Sequence, residues 1–291
     1  MIDPVLDAFA SPLTQRALVA GLLAATTCAL VGTWVVVRGL SFMGDALAHG
    51  VLPGIAIAFV LGVNLTVGAL LSALVMVAGV NLVHRRARLT EDTGIGLLFV
   101  GMLALGVIII SRQDGYYGDL GSFLFGNFLG VDPAALRIQA AVLVLTAVGV
   151  VVGHRPFLAL AFNRDKAAAL GMRPGLAHAA LLGLLALAVV ASFQAVGTLL
   201  VFGLLVAPPA PAPLTARRLP VVMAAAVVLG CLAVVVGLTV SYHAGTAAAA
   251  TVAGVAVAQF FAILLVREVV DHGRERAARR GPSAATASPP A

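Results

Sequence analysis

Asp45 and His49 are the residues whose types and spacing most plainly suggest chemistry. They stand four apart in the run Gly39-Leu40-Ser41-Phe42-Met43-Gly44-Asp45-Ala46-Leu47-Ala48-His49-Gly50, at the head of an apolar segment. On a helix that spacing puts both on one face. A carboxylate and an imidazole are costly beside a hydrocarbon span, so the pair reads as part of a path for an ion or proton. Carboxylate oxygen with neutral imidazole suits zinc, manganese or ferrous iron, and no thiolate stands nearby to form a closed, soft site. Two protein ligands completed by water, or by a second copy of the chain, hold an ion that must also leave. The structural alternative is a hydrogen-bonded pair near the start of a span.

The elements that must position this pair follow from composition. The chain has 291 residues, 61% hydrophobic and 10% charged, with a mean hydropathy of +1.08. Soluble domains average roughly 25% charged, so the chain reads as an all-α, polytopic membrane protein. Apolar runs able to cross a core of roughly 30 Å fall at about 17–37, 42–62, 65–83, 93–111, 134–152, 175–192, 196–214, 219–240 and 247–266, which predicts about nine transmembrane helices. The piece from Leu120 to Val131 is too short to cross and is interrupted by Gly121, Gly126, Asn127 and Gly130, which predicts a re-entrant or interfacial segment. Cys28 and Cys231 lie inside apolar runs and read as packing residues.

Lysine and arginine in the connections set the orientation. Alternate connections, which include Arg38, Arg85, Arg86, Arg155, Lys166, Arg217 and Arg274, hold 15 of the 18 basic residues; the others hold Arg16, Arg112 and Arg137. This predicts an external N-terminus and a cytoplasmic C-terminus, with a transmembrane domain over 1–266 and a disordered cytoplasmic tail over 267–291, rich in Ala, Ser and Pro at its end. The basic residues cluster between apolar runs, which is no nucleic-acid surface. The N-terminus carries Asp3 and Asp7 and lacks a basic region before a short apolar core, so it does not read as a cleavable signal.

In the longest inner connection, Asn163 to Gly171 reads as a short helix: Asn163 caps it, Asp165 suits its positive end and Gly171 its stop. Such a helix is where a motor subunit could dock; the alternative is a solvated linker with no partner. The seventh run ends in Pro208, Pro209, Pro211 and Pro213, either a kinked wall of a path or a plain helix end at the surface. No HExxH, GxSxG or phosphate loop ending in GK[ST] is present, and Lys166 is the only lysine, so the chain reads as a transport subunit and not an enzyme.

On Arg38 to His49, Phe123 to Asn127, Asp165 to Gly171 and Val196 to Pro208, the chain resembles the integral membrane subunit of the zinc and manganese ABC transporter permease family. The resemblance covers about residues 15–266. It implies two copies of the subunit in the bacterial inner membrane, a cytoplasmic ATP-binding dimer that hydrolyses ATP, and an extracytoplasmic protein that delivers the metal. It also implies that Asp45 and His49 contact the metal, and that Asp165, Ala167 and Gly171 belong to the helix that meets the ATPase. His243, in the turn Tyr242-His243-Ala244-Gly245-Thr246, is the third candidate ligand, at the outer mouth; His178 is a candidate pathway residue in the sixth span. The expected cargo is a divalent transition metal, zinc first, with manganese or iron as the alternative and no permanently bound cofactor. From another class, a proton-coupled secondary transporter would use Asp45 and His49 as a relay.

Overall fold

The computed structural model describes residues 11–86, 90–111, 130–162, 168, 171–212 and 218–280, with the backbone alone at 84–86, 91, 194 and 273–280. Regular structure among them is α-helix without strands, as predicted. In hydrocarbon a backbone N–H or C=O finds no water, so each spanning segment must satisfy its own hydrogen bonds. The helices are α1 (Pro12–Val37), α2 (Ser41–Gly50), α3 (Leu52–Leu61), α4 (Leu65–Arg86), α5 (Glu91–Ile110), α6 (Pro133–Phe162), α7 (Pro174–Val196), α8 (Thr198–Val206), α9 (Leu219–Ala244) and α10 (Ala248–Arg280).

α1 is the hub, packed against α6, α7, α8 and α9. Its buried positions include Ala17, Ala20, Gly21, Ala24, Ala25 and Cys28, small residues that let neighbouring backbones approach where no hydrophobic force separates helix from lipid. Near its end Trp34 is fully buried, its ring set edge-on to His154 and Phe157 of α6, each at 5.5 Å between centroids.

The turn from α1 to α2 takes three residues. Gly39 adopts φ +69°, its N–H bonds the Val36 carbonyl at 3.0 Å, and the Leu40 N–H reaches back to Val35 at 2.9 Å. This paired closure is a Schellman motif, which needs a residue free to take positive φ. Leu40 and Val35 are both buried beneath it, so the turn is tied by packing as well as by hydrogen bonds.

Eight segments among the described residues are long and apolar enough to cross a membrane, with α2 and α3 together forming one of them. The run expected to span at 196–214 is built differently. Gly197 takes φ +85° and ψ 159°, a region essentially reserved for glycine, and α8 then lasts nine residues. At 1.5 Å per residue that is about 14 Å, half of what a crossing needs. α8 packs against α1, α2 and α10, and Pro208, Pro209 and Pro211 beyond it are buried. The prolines therefore end a half-helix inside the protein, and the alternative of a plain helix end at the surface does not describe them.

α10 continues through Arg267 to Arg280, where the sequence predicts a tail without structure from 267; Arg267 and Asp271, one turn apart and 3.5 Å from each other, lie on this extension. Residues 281–291 lie outside the described residues, as do 112–129, which hold nearly all of the predicted re-entrant piece, and 163–167, the first half of the predicted docking helix.

Candidate functional site

α2 is packed on every side but one. Met43, Gly44, Ala46, Leu47, Ala48 and Gly50 are buried, and Ser41, Asp45 and His49, spaced by four, form the open stripe. The Asp45 side chain is 31% exposed and that of His49 24%, so an ion could reach both.

His49 Nε2 lies 3.7 Å from Asp45 Oδ1. That exceeds hydrogen-bond length and lies within ion-pair reach. Two donors about 2.1 Å from one ion would subtend about 120° at this separation, an ordinary angle for a coordinated metal. The His49 ring meets the edge of Phe99 on α5 at 5.7 Å between centroids, and Phe99 in turn meets Phe42 at 5.7 Å. An aromatic wall thus borders the stripe. Among the described residues no group of three or more His, Cys, Asp or Glu converges on a point.

The scaffold fixes this face by close approach on the other. A Cβ on Gly44 would meet Leu205 of α8, and a Cβ on Gly50 would meet the Met76 sulfur of α4. Pro53 in the first turn of α3 cannot supply the N–H that the His49 carbonyl would otherwise accept, so α2 and α3 part at Val51. The Gly50 carbonyl at this joint accepts a hydrogen bond from Ser72 Oγ at 2.7 Å. Just beyond it, Gly54 and Gly68 bring the backbones of α3 and α4 together, each in the space the other's side chain would need.

The remaining predicted residues are dispersed. His243 sits exposed in the last turn of α9; its described contacts, Nδ1 to the Thr239 carbonyl at 2.8 Å and the Tyr242 ring, are on its own helix. Asp165 and Ala167 lie outside the described residues. Gly171 takes φ +74° and its N–H bonds the Ala168 carbonyl at 3.0 Å.

One contact of the site's surroundings is not read from the sequence. His178, 2% exposed, accepts from Arg38 Nη1 at its Nδ1, 2.8 Å away. The two are 140 residues apart, and only the oddity of an Arg opening the Asp-His motif signals it. Through this contact and the Trp34–His154 ring pair, the end of α1, the end of α6 and the start of α7 meet at one end of the molecule.

The ABC 3 transport family matches residues 10–267. The chelated iron transport system membrane protein YfeD of Yersinia pestis is 35% identical over 260 residues, 89% of this chain and 87% of that one. The manganese transport system membrane protein MntC of Halalkalibacterium halodurans is 33% identical over 84% of each chain. Among solved structures, PsaBC from Streptococcus pneumoniae in complex with Fab superposes with a TM-score of 0.80 at 31% identity, covering 90% of this chain and 95% of that one.

Proposed function

The chain belongs to the ABC 3 transport family, and from that premise we propose that it is the membrane-spanning subunit of a bacterial importer for manganese or ferrous iron. The observation that carries the reading is the open Asp45–His49 stripe on α2, whose two donors face the same side without hydrogen-bonding each other. An ion in transit takes both and completes its shell with water or with the same pair from a second copy. Two ligands hold it weakly enough to release.

The relatives above are named for iron and manganese, which favours those cargoes over the zinc that the sequence reading places first; oxygen and nitrogen donors serve all three. The proton relay is set aside, because the family is one of ABC transporters. The subunit works as a homodimer in the inner membrane, with its N-terminus outside and C-terminus in the cytoplasm. An extracytoplasmic protein delivers the metal. A cytoplasmic ATPase dimer supplies the energy and pushes on the connection at 163–171, which carries Asp165, Ala167 and Gly171. The basic ends of α1, α6 and α7, gathered on one side with Arg38, Arg155 and Arg173, support that orientation.

Uptake of radiolabelled manganese by cells carrying Asp45→Ala or His49→Ala tests the reading. Both variants insert normally and take up metal at background rate, and in the native transporter unlabelled ferrous iron competes better than zinc. Native uptake by both variants overturns the site assignment; zinc competing best overturns the cargo.

A further inference from the structure

Arg38 and His178 lie between the connection at 163–171 and the helix that bears Asp45 and His49. His178 is in the second turn of α7. The first turn of that helix starts from its N-cap Arg173, whose carbonyl accepts from the N–H groups of Leu176 and Ala177 at 3.0 and 3.1 Å, two residues after Gly171. On the other side, Arg38 is the C-cap of α1, its N–H bonded to the Trp34 carbonyl at 3.1 Å. The Schellman turn joins it rigidly to α2, and Asp45 follows two turns later.

We propose that the Arg38–His178 hydrogen bond is a positioning contact that transmits movement of the 163–171 connection to the helix bearing Asp45 and His49. The inference rests on the function proposed above. Its chemistry is directional. A guanidinium has no acceptor, so the ring nitrogen facing it carries a lone pair, and the bond is a charged donor to a neutral acceptor, stronger than a neutral pair. At 2.8 Å the bond is short and directional, so it registers the start of α7 against the end of α1 at one position. Contacts of this kind can relay rigid-body movement between elements.

The test uses the full transporter, with its ATPase, in lipid vesicles, and manganese as the probe. His178→Leu keeps the bulk and loses the acceptor, Arg38→Met keeps the length and loses the donor, and His178→Asn puts an amide oxygen where Nδ1 stood. Calorimetry should show His178→Leu and Arg38→Met binding manganese as the native protein does, while metal-stimulated ATP hydrolysis and uptake fall about tenfold. The double variant should fall no further, and His178→Asn should stay near the native rate. Native coupling in His178→Leu, equal losses in His178→Asn and His178→Leu, additive losses in the double variant, or weakened manganese binding would each overturn the inference. His178→Asn keeps the test decisive should the apolar variants fail to insert. Native uptake in Asp45→Ala overturns the site reading and this inference with it, whereas the outcomes above overturn the relay alone.

Discussion

A carboxylate and an imidazole four residues apart were legible as a pair because helical periodicity is a property of the sequence itself. The surroundings that fix the face on which they lie were not, because they come from residues distant in the chain: Leu205 against Gly44, Met76 against Gly50 and Phe99 beside His49. The same holds for Arg38, whose partner on α7 no local pattern announces. Ser72 shows how much one hydroxyl does in this setting. It covers the Gly50 carbonyl at the joint between α2 and α3, and at 6% exposure it leaves water no access. Ser72→Ala should cost about 1 kcal/mol, in the range measured for buried and interhelical hydrogen bonds. The midpoint of thermal unfolding in detergent should drop accordingly while manganese binding persists, and an unchanged midpoint would mean the carbonyl is satisfied some other way.

Among the elements, most of the helices lie where runs of apolar residues predict them, since length and hydropathy decide what can cross a bilayer. The exception at 196–214 is informative. Hydropathy counts apolar residues and is blind to backbone angle, so a half-helix entered through Gly197 and ended by buried prolines has the same signature as a full span. Gly197→Ala forces a side chain into a glycine-only conformation at a cost of about 1–3 kcal/mol. Because α8 packs on both α1 and α2, the variant should lose thermal stability and also manganese uptake; native values for both would show that the joint can relax. The proposed docking helix belongs to this scale as well. Ala168→Pro should leave manganese binding at Asp45 and His49 intact and abolish metal-stimulated ATP hydrolysis, since proline inside a helix costs about 3 kcal/mol locally while the short surface segment adds little to the transmembrane core. Undiminished stimulation in that variant would place the docking element elsewhere.

For the molecule as a whole, the distribution of arginine predicts which end faces the cytoplasm, and the packing of α1, α6 and α7 brings those arginine-bearing ends together. Single cysteines placed at 86, 166, 243 and 276, in a background with Cys28 and Cys231 replaced by serine, check the orientation with an impermeant thiol reagent. In intact cells position 243 should label and the other three should not; labelling at 166 from outside would invert the topology. The three-residue turn between α1 and α2 bears on this larger frame in mechanical terms. With Gly39 closing the junction, α1 is an arm about 39 Å long that carries the open Asp45–His49 stripe at its end. A tilt of about 5° about its far end carries that stripe about 3 Å, more than the roughly 2.1 Å length of a metal–ligand bond. A swing hardly visible in the outline of the helix bundle would thus be enough to bring the proposed ligands Asp45 and His49 to an ion or take them away.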